Sequence, residues 1–151
     1  MRQDKLTTKF QEALSDAQSL ALGSDHGYIE PLHLLAAMLQ QEEGPRALLE
    51  RGGVNLSALQ TATDAALKKL PQVQGQEQIQ VSPDLAKLLQ ATEKEALKRG
   101  DQFIAGELFL LALSESKTEA GRLAQSNGMT RKSLEAAIDA VRGEQSVNNP
   151  E

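Results

Sequence analysis

Two histidines are the first side chains to weigh for chemistry. His33 stands one residue before Leu34-Leu35, and His26 stands alone in a glycine-flanked stretch, Gly23-Ser24-Asp25-His26-Gly27. His33 could be a metal ligand or general base, but the other histidine is alone in a loop and no H-x-x-x-H or H-E-x-x-H occurs. It therefore reads as a partly buried structural histidine that hydrogen-bonds a neighbouring loop. Asp25, His26 and Glu30 could share a cation only as a loosely spaced set. Ser15, Ser19 and Ser24 have no base placed beside them, and neither G-x-S-x-G nor G-x-x-x-x-G-K-[ST] is present. There is no cysteine, which removes thiolate chemistry and a disulfide framework. The expectation is a chain with no catalytic residues and no bound metal.

The elements that position these residues are written twice. Tyr28 to Leu39, the most apolar run, returns as Phe103 to Ser114 at an offset of 75. Ile29 returns as Ile104, Leu35 as Leu110 and Ala37 as Ala112. Outside the run Leu14 matches Leu89, Ala21-Leu22 matches Ala96-Leu97, Leu48 matches Leu123, Gly53 matches Gly128 and Leu59 matches Leu134. About 12 identities over roughly 60 positions, without a gap, define one structural unit built twice.

Composition fits that unit. Hydrophobic residues make up 40% of the 151, but aromatics only 3%, so the core is leucine and alanine, which favours helices. The net charge of −5, with both signs interspersed, argues against nucleic acid as a partner. No apolar run reaches membrane-spanning length, and Met1-Arg2-Gln3-Asp4 is read as opening no signal peptide.

Periodicity and capping residues place eight helices. The first covers about 8–22, with Thr8 and Gln11 at capping-box spacing. The second, about 31–41, opens on Pro31 and is apolar nearly all round, so it is expected at the buried centre of its half. Gly44-Pro45 and Gly52-Gly53 bound the third. Asn55 caps the fourth, about 56–70. Residues 71–81, with Pro71, Gly75 and alternating glutamines, read as a linker rather than a strand, for want of a pairing partner. Ser82-Pro83-Asp84 opens the fifth helix. The sixth repeats the second. Thr118 caps the seventh, about 118–126, and Thr130 the eighth, about 131–142. The predicted fold is all-α, two pseudo-symmetric four-helix repeats (about 8–70 and 82–143), followed by a polar tail, 144–151, that reads as a linker leading elsewhere.

These features resemble the Clp amino-terminal domain of AAA+ unfoldases. The stretch I-E-P-L-H-L-L-A-A-M-L carries the repeat motif. The opening M-R-Q-D-K-L-T-T-K-F-Q-E-A-L, together with K-K-L-P-Q-V and Lys98-Arg99-Gly100-Asp101, resembles the bacterial disaggregase branch of that family. The likeness spans residues 1 to about 148, and the tail G-E-Q-S-V resembles the start of a linker to an ATPase domain. Ala105-Gly106 depart from the family, which often has two serines there.

The resemblance implies a parent that is a hexameric, cytoplasmic, ATP- and Mg-dependent motor. That motor would thread aggregated polypeptides with the help of the DnaK chaperone system. This piece would be its capture domain, monomeric when isolated and without a cofactor of its own. It implies Thr7, Asp101 and Glu107 as polar capture residues, and an apolar groove between the repeats for which Leu88, Leu108 and Leu111 are candidates by position. Read as plain residues, Thr7 helps cap a helix, Glu107 favours a helix N-terminus, Asp101 is a solvated loop residue and the leucines are core. The alternative function is a docking module for a dedicated folded adaptor.

Overall fold

Five helices start where a short polar side chain can accept a backbone N–H. In the computed structural model, which describes residues 2–143 and 145–150, Thr7 Oγ1 accepts from Phe10 N (3.2 Å) and opens α1, Thr8–Gly23. Asn55 opens α4, Leu56–Lys68; Ser82 opens α5, Pro83–Arg99; Thr118 opens α7, Glu119–Ser126; Thr130 opens α8, Arg131–Arg142. Each satisfies one orphan donor of the first turn. The cap of α1 is thus Thr7, one residue before the expected Thr8. Gln11 does not close a capping box; its side chain donates to Leu6 O at 3.0 Å.

The remaining helices are α2, Pro31–Gln40, the short α3, Arg46–Arg51, and α6, Gly106–Ser114. The α6 N-cap, Ala105, offers no side-chain acceptor. In α2 every residue from Pro31 to Leu39 is buried, and in α6 every residue from Leu108 to Ser114. A helix that is apolar all round has no face for water, so it must sit at the centre of its half. Helix α1 packs on α2 and α5 on α6, while α2 packs on α4 and α6 on α8.

The two halves share one core. Helix α3 packs on α8, and its counterpart α7 packs on α4, so exchanging the halves reproduces the arrangement. The pseudo-dyad brings repeat mates into direct contact. A Cβ on Gly128 would lie 2.8 Å from the carbonyl oxygen of Gly53. Both glycines have positive φ, +84° and +96°, a region that favours glycine.

The segment read as an unpaired linker has a partner. Gln80–Val81 (β2) pairs in parallel with Tyr28–Ile29 (β1), in the register Tyr28 with Gln80 and Ile29 with Val81. The second half repeats the pairing, because Leu6 bridges Ile104 in parallel. The extended stub before each half's first helix is thus stitched to the inter-helix loop of the other half. Each pair is only one or two residues long, too short for a sequence pattern to show. The fold stays all-α, with these stitches joining the halves across the pseudo-dyad.

The tail also folds back. Val147 O accepts from Gln102 N (2.8 Å) and Phe103 N (3.0 Å), and Pro150 O accepts from Thr8 N (2.7 Å). The linker does the same in the first half, where Gln72 bridges His26 and Val73 N donates to Asp25 O (2.7 Å). Val147 and Gln72 are themselves repeat mates, so the tail occupies the place of a second linker.

Candidate functional site

Three polar residues carry the expectation of capture, and the structure draws two of them, Asp101 and Glu107, onto one cation. Arg142 closes α8, where the helix C-terminus favours positive charge, and Glu107 lies in the first turn of α6, where negative charge is favoured. Arg142 Nε donates to Glu107 Oε1 at 2.6 Å, and Nη1 donates to Asp101 Oδ2 at 2.9 Å. The other Asp101 oxygen accepts from Val147 N at 2.9 Å. The Asp101 side chain is 0% exposed and that of Arg142 only 9%. Asp101 is therefore not a solvated loop residue but the joint between α8, the α5–α6 loop and the tail. Thr7 is buried, with its hydroxyl engaged by the cap. Thr7, Glu107 and Arg142 share a crevice of about 420 Å³; Asp101 faces it only through Arg142.

Of the polar capture residues implied by the resemblance, Asp101 and Glu107 thus form an ion-paired clamp on Arg142, and Thr7 is a buried helix cap. Nothing local announced it, because Arg142 lies 41 residues from Asp101 and 35 from Glu107. Leu88, Leu108 and Leu111 are all buried, the last two completely. Two of them belong to the central helix α6, where a leucine at any angle meets core, so in this conformation none of the three offers a surface.

An apolar groove between the repeats does exist, along α1 and α5. It has a volume of about 530 Å³. Leu14 and Leu89 are partly buried and form its walls, with Leu6, Ile29 and Leu85 in its floor and Val81, 41% exposed, at its edge. Gln3, Ser15, Gln18, Gln90 and Glu93 make the polar rim. Glu93 also borders a neighbouring hollow of about 570 Å³, where Leu97 stands 74% exposed near Phe103, Arg2 and Lys5. The sequence held one signal for this groove. Leu14 and Leu89 are identical repeat mates, but a leucine at helical spacing reads as core, and these two stand at the edge of it.

The histidines form a pair that the sequence did not foretell. His26 is not alone: its Nδ1 lies 2.8 Å from His33 Nε2, with ring centroids 5.0 Å apart. His33 Nδ1 accepts from Glu30 N at 2.8 Å. A backbone N–H can only donate, so Nδ1 is unprotonated and Nε2 carries the hydrogen offered to His26. Burial, and secondarily the charge of His26, push the His33 pKa down to about 4. At neutral pH His33 is therefore uncharged and fully engaged, pinning the α1–α2 loop. Among the described residues no group of three or more histidine, aspartate or glutamate side chains could hold a metal ion, and Asp25 and Glu30 do not join His26 in one. No described helix is long and apolar enough to cross a membrane.

Comparison with known proteins gives the same architecture a family. The Clp repeat (R) N-terminal domain family matches residues 5–127. The chaperone protein ClpB of Vibrio cholerae serotype O1 is 45% identical over 152 residues, covering 99% of this chain and 18% of that protein. The chain therefore spans less than a fifth of that relative's length. Among solved structures, the Hsp104 N-terminal domain from Candida albicans superposes with a TM-score of 0.86 over 97% of both chains, at 21% identity. A ClpV N-domain solved in complex with a VipB peptide matches with a TM-score of 0.68 at 20% identity, over 97% of this chain and 91% of that one. The agreement of family match, identity over nearly all of this chain and eight-helix fold places the chain in the Clp repeat (R) N-terminal domain family, of the kind carried by ClpB chaperones.

Proposed function

We propose that this domain captures unfolded or aggregated polypeptide for an ATP-driven disaggregase, without catalysis of its own. The observation that carries the reading is the α1–α5 groove, an open apolar channel walled by Leu14 and Leu89. Such a surface is costly to leave facing water unless something uses it. A short channel buries only a few client side chains at about 25 cal/mol per Å², and ordering the client opposes much of that gain. Single-site binding is then weak, micromolar or worse, which suits a step that must release its client to a pore. Several copies in a hexameric parent restore avidity through effective concentration. In this reading the parent works with the DnaK system in the cytoplasm and binds ATP and Mg in other domains. Thr7, Asp101 and Glu107 serve capture indirectly, by holding the start of α1 and the tail through the Arg142 clamp.

The test is titration of a labelled, permanently unfolded protein into the wild type and into a Leu14→Gln, Leu89→Gln double variant. The expected result is at least about a fivefold loss of affinity, roughly 1 kcal/mol, with the fold intact. Equal affinities would overturn the reading.

A second reading is docking of one defined peptide or adaptor, favoured by the ClpV N-domain solved with a VipB peptide on this same fold. Competition separates the two. Unrelated unfolded proteins displace one another from a capture groove, whereas a docking site ignores all but its own sequence.

A further inference from the structure

We propose that the α1–α5 groove holds an extended, uncharged apolar segment in either chain direction. The inference rests on reading this groove as the client site. Its source is the pseudo-dyad, which relates one wall to the other. Leu14 and Leu89 are repeat mates, as are Leu6 and Val81, Ser15 and Gln90, and Gln18 and Glu93; all eight line the groove. A segment lying across such an axis meets these four pairs again after being turned end for end, while Gln3, Ile29, Leu85 and Ala86 line the groove without their mates.

The polar contacts on offer do not restore a direction. Strand-edge docking fixes polarity because N–H and C=O alternate in a set order along the edge. Along Leu6, and at the Ile29 carbonyl, the edge is already occupied. Leu6 N donates to Gln3 O and Leu6 O accepts from Gln11 Nε2, while Ile29 O accepts from Ser82 N. The rim presents side-chain amides instead, and an amide donates and accepts equally well, so it serves a main chain running either way. These amides complement an uncharged main chain, and the leucines complement apolar side chains.

Only one lining pair breaks the symmetry by charge: Glu93 stands where its mate is the neutral Gln18. A segment with a lysine at one end is therefore turned so that the lysine lies beside Glu93, and Glu93→Gln abolishes that choice.

The experiment uses this chain, isotopically labelled, and a capped hexapeptide of leucine, valine and alanine carrying a nitroxide at its N-terminus or, in a second peptide, at its C-terminus. Paramagnetic broadening is read at the backbone amides of Gln18 and Glu93. Either label is expected to broaden both amides to within about twofold, since directions that differ by under about 0.4 kcal/mol are nearly equally populated. With a lysine added at the N-terminus, the N-terminal label is expected to broaden Glu93 preferentially, and Glu93→Gln to restore equality. If the N-terminal label on the neutral peptide broadens one amide and the C-terminal label only the other, bidirectional binding is overturned while the groove stands as the site. If the peptide binds but broadens neither, the groove reading itself fails.

Discussion

Asp101 and Arg142 meet at 2.9 Å with the carboxylate wholly enclosed, although they lie 41 residues apart in the chain. The contact joins the C-terminal end of the last helix to the loop between α5 and α6, and through Val147 to the tail. A charge removed from water in this way is stable only while its partner stays in place.

That sets the cost of breaking the clamp. Arg142→Ala strands one fully enclosed carboxylate and a second, on Glu107, that is 21% exposed. The expected loss is about 3 kcal/mol or more. Asp101→Ala similarly leaves Arg142 short of a partner. On the sequence alone, replacing Asp101 and Glu107 with alanine would have left the melting temperature nearly unchanged, as for surface residues. The enclosed geometry reverses that expectation. Urea unfolding of the single variants decides it; a change below about 0.5 kcal/mol, the scale of ordinary surface substitutions, would contradict the clamp.

The tail should protect two specific amides. Gln102 N and Phe103 N both donate to Val147 O. A chain ending at Gly143 loses that acceptor and the Val147 N–H given to Asp101. Exchange at Gln102 and Phe103 is expected to quicken by about tenfold or more, with core amides of α2 and α6 far less affected, because exchange reports local opening. Unchanged rates at both amides would mean the tail does not hold the loop in solution.

Much of the architecture was legible because the repeat is gapless. Leu35 and Leu110, aligned by sequence alone, are both fully buried at the centres of their halves. Caps at Asn55, Ser82, Thr118 and Thr130 follow from residue type and spacing. What escaped were relations between distant or very short segments. Arg142 reaches its two carboxylates only through tertiary packing. The Ile29–Val81 and Leu6–Ile104 stitches are shorter than any period. His26 and His33 are seven residues apart, with a loop and a helix start between them, so no helical spacing connects them. The groove was hidden for another reason: Leu14 and Leu89 have the spacing of core residues, and only the arrangement of α1 beside α5 leaves them at an opening.

The pseudo-dyad makes unequal demands on its two glycines. At Gly53 an added Cβ meets nothing within 4 Å, so Gly53→Ala carries only the strain of φ +84°, about 1 kcal/mol. At Gly128 the same substitution adds a contact of 2.8 Å with Gly53 O to a φ of +96°. Gly128→Ala should therefore be the more damaging by about 1 kcal/mol or more, since backbone must move on both sides of the axis. Paired denaturation curves test this; equal costs would mean that the two loops do not touch.

The last prediction concerns acid. Unfolded His33 titrates near 6.5, and in the fold its pKa is lowered to about 4, by burial first and by His26 second. Above pH 6.5 both states are neutral at this position and its full contribution to stability is present. Between 6.5 and 4 the unfolded chain binds a proton that the folded chain refuses, so stability falls as the pH falls. At about 1.4 kcal/mol per pH unit the loss reaches roughly 3 kcal/mol near pH 4. A suitable control is written into the chain itself: the repeat mate of His33 is Leu108, fully buried at the equivalent point of α6. His33→Leu removes the titration while keeping an apolar side chain there, although Glu30 N loses its acceptor and the absolute stability drops. Urea unfolding from pH 4 to pH 8 should show the wild type losing stability more steeply than the variant below pH 6.5, and the two running parallel above it. Parallel profiles throughout would show that His33 is protonated in the fold as easily as in the unfolded chain, and that the histidine pair opens on protonation without cost.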